Sequence, residues 1–183
     1  MASDPLSLRC HPAQPCPAVD ALEAQVGLED DAVVLTFQLR GDLERLRIPG
    51  LGPIRRAERL WEGTCFEAFL RPTGGEAYVE LNLAPSAAWA AYAFDAYRRG
   101  MRDLDLAPDL RLKRGKDLVA LRVRVPLADL PGCAEASGLE VNLAAVVQEA
   151  GGGLSHWCLQ PCGERPDFHA PEGFVLRLEG EGA

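Results

Sequence analysis

The chain has 183 residues, 48% of them hydrophobic and 25% charged, with a formal charge of −8. That is ordinary globular composition, and the length suffices for one self-sustaining core, so a single domain over residues 1–183 is expected. With 27 acidic against 19 basic residues, the chain lacks the clustered positive surface that nucleic acid requires, and no apolar run reaches the roughly 18–20 residues of a membrane span.

Residues 1–14 contain no basic region followed by an apolar one, so no secretory signal is read and the expected location is the cytoplasm. Six cysteines, Cys10, Cys16, Cys65, Cys133, Cys158 and Cys162, are scattered without a C-x-x-C pair. In a chain of this size in that compartment they are expected reduced and buried rather than bridged. A turn at residues 27–31 leads into a run over 32–40 that alternates Val33, Leu35, Phe37 and Leu39 with Val34, Thr36, Gln38 and Arg40. Period-two alternation is the signature of a half-buried strand. Residues 41–58 hold two glycines and two prolines between Pro49 and Pro53 and are expected to form a loop.

The next stretch, "LWEGTCFEAFL" at 60–70, threads a tryptophan, a cysteine and two glutamates through apolar residues. As a strand over 64–71 it sets Phe66, Ala68 and Leu70 against Cys65, Glu67, Phe69 and Arg71. A turn at 72–76 leads to a second alternating strand over 77–83, with Val79, Leu81 and Leu83 opposite Tyr78, Glu80 and Asn82. The two form a hairpin, so Glu67 and Glu80 are expected near one another on one sheet face, extended by Tyr78 and Asn82. Carboxylates, an amide and an aromatic ring on one sheet suit a neutral polyol, which needs hydrogen bonds to its hydroxyls and a flat surface for its C–H face. Trp61 and Trp157 are candidate stacking plates. The plainer alternatives are that both glutamates are solvated or paired with Arg122 or Arg124 across the sheet, and that the tryptophans pack.

Residues 87–99 are ambiguous. Alanine content and the spacing of Trp89, Tyr92 and Ala96 favour helix, whereas Tyr92 and Phe94 opposite Trp89 fit a strand. Further along, 114–117 is a hairpin turn, 118–125 and 139–149 alternate as strands, 151–153 is a glycine turn, 160–173 is a proline-rich loop, and 174–178 alternates again. Many strands joined by tight turns indicate a β-sandwich. In the last loop His169 either donates to a ligand or caps the sandwich. Arg98 and Arg99 could meet an anionic group on a ligand.

Three stretches together, "LWEGTCFEAFL" at 60–70, "YVELNLAPSAAWAAYAFDAYRRGM" at 78–101 and "PDFHAPEGFVLRL" at 166–178, resemble the DOMON-like family, bacterial domains related to family 9 carbohydrate-binding modules. The resemblance spans about residues 6–178. It implies an all-β, antiparallel sandwich (jelly-roll or immunoglobulin-like) of about ten strands, with 87–99 largely strand. It also implies a non-catalytic module that binds a small carbohydrate or sugar-containing metabolite. By position, Trp61 and Trp157 correspond to the two tryptophans that sandwich the sugar in such relatives. The expected ligand-binding set is therefore Trp61, Glu67, Tyr78, Glu80, Asn82, Trp157 and His169.

The alternatives are a haem-binding redox domain, with Met101 and either His156 or His169 as axial ligands, and an accessory domain for a protein partner. Two carboxylates on adjacent strands also raise a glycosidase pair, but no leaving-group or water-positioning motif accompanies them, and an enzyme is not expected. Cys158 and Cys162 with His156 and His169 form a weak zinc pattern. Asp103, Asp105 and Asp109 are available to calcium without a recognisable ligand spacing. No metal or resident cofactor is expected.

Overall fold

Two sheets, antiparallel but for one parallel edge pair at Arg55 and Arg56, enclose one hydrophobic core in the computed structural model, which describes residues 4–161 and 163–179. The first sheet has the order β1 (Leu6–Ser7), β3 (Val19–Glu29), β4 (Ala32–Gly41), β11 (Leu118–Pro126), β10 (Asp109–Arg114). The second runs β2 (Arg9–Cys10), β13 (Leu154–Cys158), β12 (Gly138–Gln148), β6 (Cys65–Pro72), β7 (Tyr78–Leu83), β8 (Ala88–Phe94), β5 (Arg55–Arg56). Two short edges complete it: β14 (Leu176–Glu179) on β12 and β9 (Arg102–Asp103) on β8. The fold is the β-sandwich expected. Of the 14 strands among the described residues, the four two-residue strands β1, β2, β5 and β9 lie below what sequence periodicity can register.

The alternation read in 32–40, 64–71, 77–83, 118–125 and 139–149 corresponds to β4, β6, β7, β11 and β12. The ambiguous stretch is strand: β8 pairs with β7 in register, Tyr92 opposite Glu80. Helix propensity gives way because the run is buried on both faces, where β-sheet packing decides. The turn expected over 27–31 is tighter, only Asp30 and Asp31, with Glu29 paired to Ala32 and Asp30 at φ 53°. Such a two-residue hairpin needs a left-handed residue, which Asp tolerates.

Between the sheets Phe37 stacks on Phe66 at 5.1 Å, joining β4 to β6. The sheets differ on their outer faces. On β11 alternate residues reach solvent, and Arg122 and Arg124 pair there with Glu29 and Asp31 at 2.8 and 2.9 Å. The alternative that these arginines neutralise Glu67 or Glu80 is thereby corrected: they stand on the other sheet. The second sheet is covered on its outer face too. Residues 163–175 and the turn Leu60–Glu62 lie over it, burying β7 and β8 throughout and β12 almost so. A second apolar cluster results, with Phe69, Tyr78, Tyr92, Phe94, Val146, Phe168 and Phe174.

Candidate functional site

The covered face is assembled by register. Across it Ala144 faces Glu67 and Glu67 faces Asn82, while Asn142 faces Phe69, Phe69 faces Glu80 and Glu80 faces Tyr92. Because side chains alternate, Glu67, Glu80, Asn82, Tyr78, Tyr92 and Asn142 all project to one side. Above Glu67 and Glu80 lies a cavity of about 410 Å³, with Trp61, Phe94, Phe168, His169 and Arg98 among its walls and Val146, His156, Met101 and Pro166 completing it. That volume falls within the range of small-molecule sites.

Glu67 is 3% exposed, and its Oε1 has no hydrogen-bond partner among the described residues. Burial pushes its carboxyl well above the usual range, and neighbouring Glu80 pushes it further. Glu80 is raised as well, by burial, though the Asn82 amide and Arg98 pull it back in part. Asn82 Nδ2 donates to Glu80 Oε1 at 2.6 Å. A carboxyl that keeps its proton offers a donor as well as an acceptor.

His169 hangs over this floor from segment 163–175. Tyr78 Oη lies 2.8 Å from His169 Nδ1 and accepts from the backbone N–H of Arg98 at 3.2 Å. The other ring nitrogen, His169 Nε2, lies 3.7 Å from Glu80 Oε2. Burial and Arg98 lower the His169 pKa to about 4, against an opposing pull from Asp167, so the ring is neutral at neutral pH. The rings of Phe69, Tyr78 and Phe94 surround it, with centroids 5.0, 5.8 and 5.2 Å away.

The wall is tied down from outside. Asp167 accepts from Tyr97 Oη at 2.6 Å and from Arg98 at 2.7 Å. Although burial alone would raise Asp167, these bonds hold its pKa below the usual value. Asn142 Nδ2 donates to the Phe168 carbonyl at 2.9 Å, pinning the segment to the sheet. Gly173 passes so close that a Cβ there would meet Asn142 Nδ2 at 2.8 Å. Arg59, which precedes the Trp61 turn, and Arg98 both sit in the left-handed region at φ 56° and 53°. Such strain at a non-glycine residue costs on the order of 1–3 kcal/mol and collects at ligand sites.

Of the seven expected residues, Trp61, Glu67, Glu80 and His169 line the cavity, while Tyr78 and Asn82 stand behind them as supports. Trp157 does not join them. It follows His156 on β13, so it points to the opposite face, where it belongs to the core between the sheets and donates Nε1–H to Ser155 Oγ at 2.9 Å. Trp89 is in that core too. Arg98, read as a contact for an anionic group, lines the cavity while Arg99 does not; expectation missed the walls Phe94 and Phe168 and the strut Asn142. Asn142 carried a signal, an amide inside the apolar run of 139–147, whereas Phe168 lies in a stretch without periodicity.

Met101, His156 and His169 all reach the cavity, as a haem would require, but the fit fails. Haem needs an apolar slot around its ring, and this floor is two buried carboxyls. The zinc pattern falls partly on Cys162, outside the described residues. Among the described residues no three His, Cys, Asp or Glu side chains cluster as metal ligands. Asp103 and Asp109 pair with Arg56 and Arg111.

No family model and no curated protein sequence matches the chain. Among solved structures it is similar to a candidate carbohydrate-binding protein of Bacteroides uniformis, with TM-score 0.70 and 15% identity over 98% of this chain and 85% of that one. It is also similar to a family 9 carbohydrate-binding module of Caldicellulosiruptor kristjanssonii, solved in complex with cellotriose, with TM-score 0.51 and 8% identity over 96% of this chain and 81% of that one. At such identities the likeness is one of architecture: the chain has the β-sandwich fold of carbohydrate-binding modules.

Proposed function

We propose that this protein is a non-catalytic module whose cavity over Glu67 and Glu80 binds a small sugar or sugar-containing metabolite, and that it is DOMON-like. The observation that carries this reading is Glu67: a carboxyl buried at 3% exposure, with an unpartnered oxygen, beneath a cavity walled by Trp61. An unpaired buried polar atom costs about 1–3 kcal/mol, and a ligand hydroxyl supplies what it lacks. Trp61 offers a flat apolar face beside that floor, as sugar C–H surfaces require. The carbohydrate-binding-module fold supports the same reading.

Tryptophan fluorescence during titration with mono- and disaccharides tests the proposal. Trp89 and Trp157 supply a constant core background, so a saturable change should vanish in Trp61→Ala while the melting curve stays close to that of the parent. Absence of any response across the panel would remove the sugar reading.

A further inference from the structure

The cavity floor holds more acid than hydroxyl recognition calls for. An amide such as Asn82 serves a hydroxyl without the cost of burying an ionisable group. Two carboxyls on neighbouring strands, both buried, penalise the fold twice over, by desolvation and by mutual repulsion. Glu67 and Glu80 sit diagonally across the β6–β7 pair, Glu67 opposite Asn82 and Glu80 opposite Phe69. Such diagonal positions stand roughly 7–8 Å apart at Cα, close enough for one small group to touch both carboxyls.

Among the described residues no Lys or Arg forms an ion pair with Glu67 or Glu80. Arg98, on the wall, is bonded to Asp167 at 2.7 Å and offsets Glu80 only in part from there. His169 is neutral at neutral pH. The other titratable groups facing the pair are Cys65 on β6, Tyr78 on β7, Tyr92 on β8 and His156 on β13. None of them brings a cation at neutral pH: burial raises Cys65, Tyr78 and Tyr92 and lowers His156. Around the carboxyls stand the rings of Trp61, Phe94 and Phe168, and aromatic rings close to a desolvated cation attract it.

We infer that the ligand carries an ammonium group, seated on Glu67 and Glu80 among Trp61, Phe94 and Phe168. The inference rests on the sugar reading and narrows it to sugars with a free amine. The cation stabilises the ionised carboxyl, so a proton leaves the pair for solvent as the ammonium arrives, and no bond is made or broken in the ligand. Binding then tightens as pH rises from 5 toward 7, since less proton must be displaced, provided the amine stays charged.

Isothermal titration calorimetry of the full chain tests this with glucosamine, N-acetylglucosamine, glucose and ethanolamine. Each titration is run at pH 7 in two buffers of different ionisation enthalpy, which counts protons released. Glucosamine should bind about tenfold or more tighter than glucose or N-acetylglucosamine, with proton release, and Glu67→Gln should abolish both the preference and the release while retaining the parent circular dichroism. Binding of ethanolamine alone with proton release would keep the ammonium and remove the sugar. Equal affinity for the neutral sugars and glucosamine, without proton release, would overturn the ammonium and leave the sugar reading standing. No binding by any of the four would overturn both.

Discussion

Glu67 and His169 face each other across the cavity with pKa shifts of opposite consequence. His169 falls from 6.5 to about 4 on folding. Between those values the unfolded chain holds the proton and the folded one does not, so the contribution of His169 is complete above pH 6.5 and is lost as pH falls toward 4. A shift of that size on a side chain 15% exposed corresponds to about 3 kcal/mol. Glu67 is raised, so its contribution is complete below the ordinary value of 4.5 and is lost as pH climbs through its folded pKa. Urea denaturation at stepped pH separates them. Relative to the parent, His169→Gln should flatten the loss of stability on the acid side, and Glu67→Gln should gain stability progressively above pH 4.5. A Glu67→Gln profile parallel to the parent's from pH 4.5 to 8 would mean the buried carboxyl carries no desolvation cost.

At the scale of elements, the site is a sheet floor plus one non-regular wall. Period-two parity in 64–71 and 77–83 placed Glu67, Tyr78, Glu80 and Asn82 on one face, and β6 and β7 carry them there. The same parity, applied to 154–158, separates Trp157 from His156, because one residue of offset reverses the face. What parity cannot reveal is that a polar face is roofed: segment 163–175 has no period, and its hold on the sheet is a set of distant side-chain contacts. Asn142 to the Phe168 carbonyl is one, and Arg71, forked on Glu140 at 2.9 and 2.7 Å with its guanidinium 4.3 Å from the Phe174 ring, is another. Asn142→Ala should therefore cost about 1–3 kcal/mol and speed amide exchange in 166–174 more than in β12. Uniform acceleration across both would mean that Asn142 supports the sheet and not its cover.

For the whole molecule, the two sheets depend on one shared core, whose central contact is Phe37 on Phe66. Phe37→Ala should lower unfolding free energy by about 3–5 kcal/mol in a single transition seen alike by circular dichroism and by tryptophan fluorescence, since Trp89 and Trp157 belong to the same core. Two separated transitions would mean that the sheets unfold independently.

The unlike outer faces have a practical consequence for handling the molecule on a surface. The first sheet shows solvent a row of ion-paired side chains ending in the exposed edge strand β10, and the roofed cavity lies on the far side of the sandwich. A linker attached through Lys113 on β10 would hold every copy with its cavity turned outward. A sensor chip or affinity resin made this way would present a uniformly oriented layer, whereas coupling through Arg98 or Met101 would block the mouth.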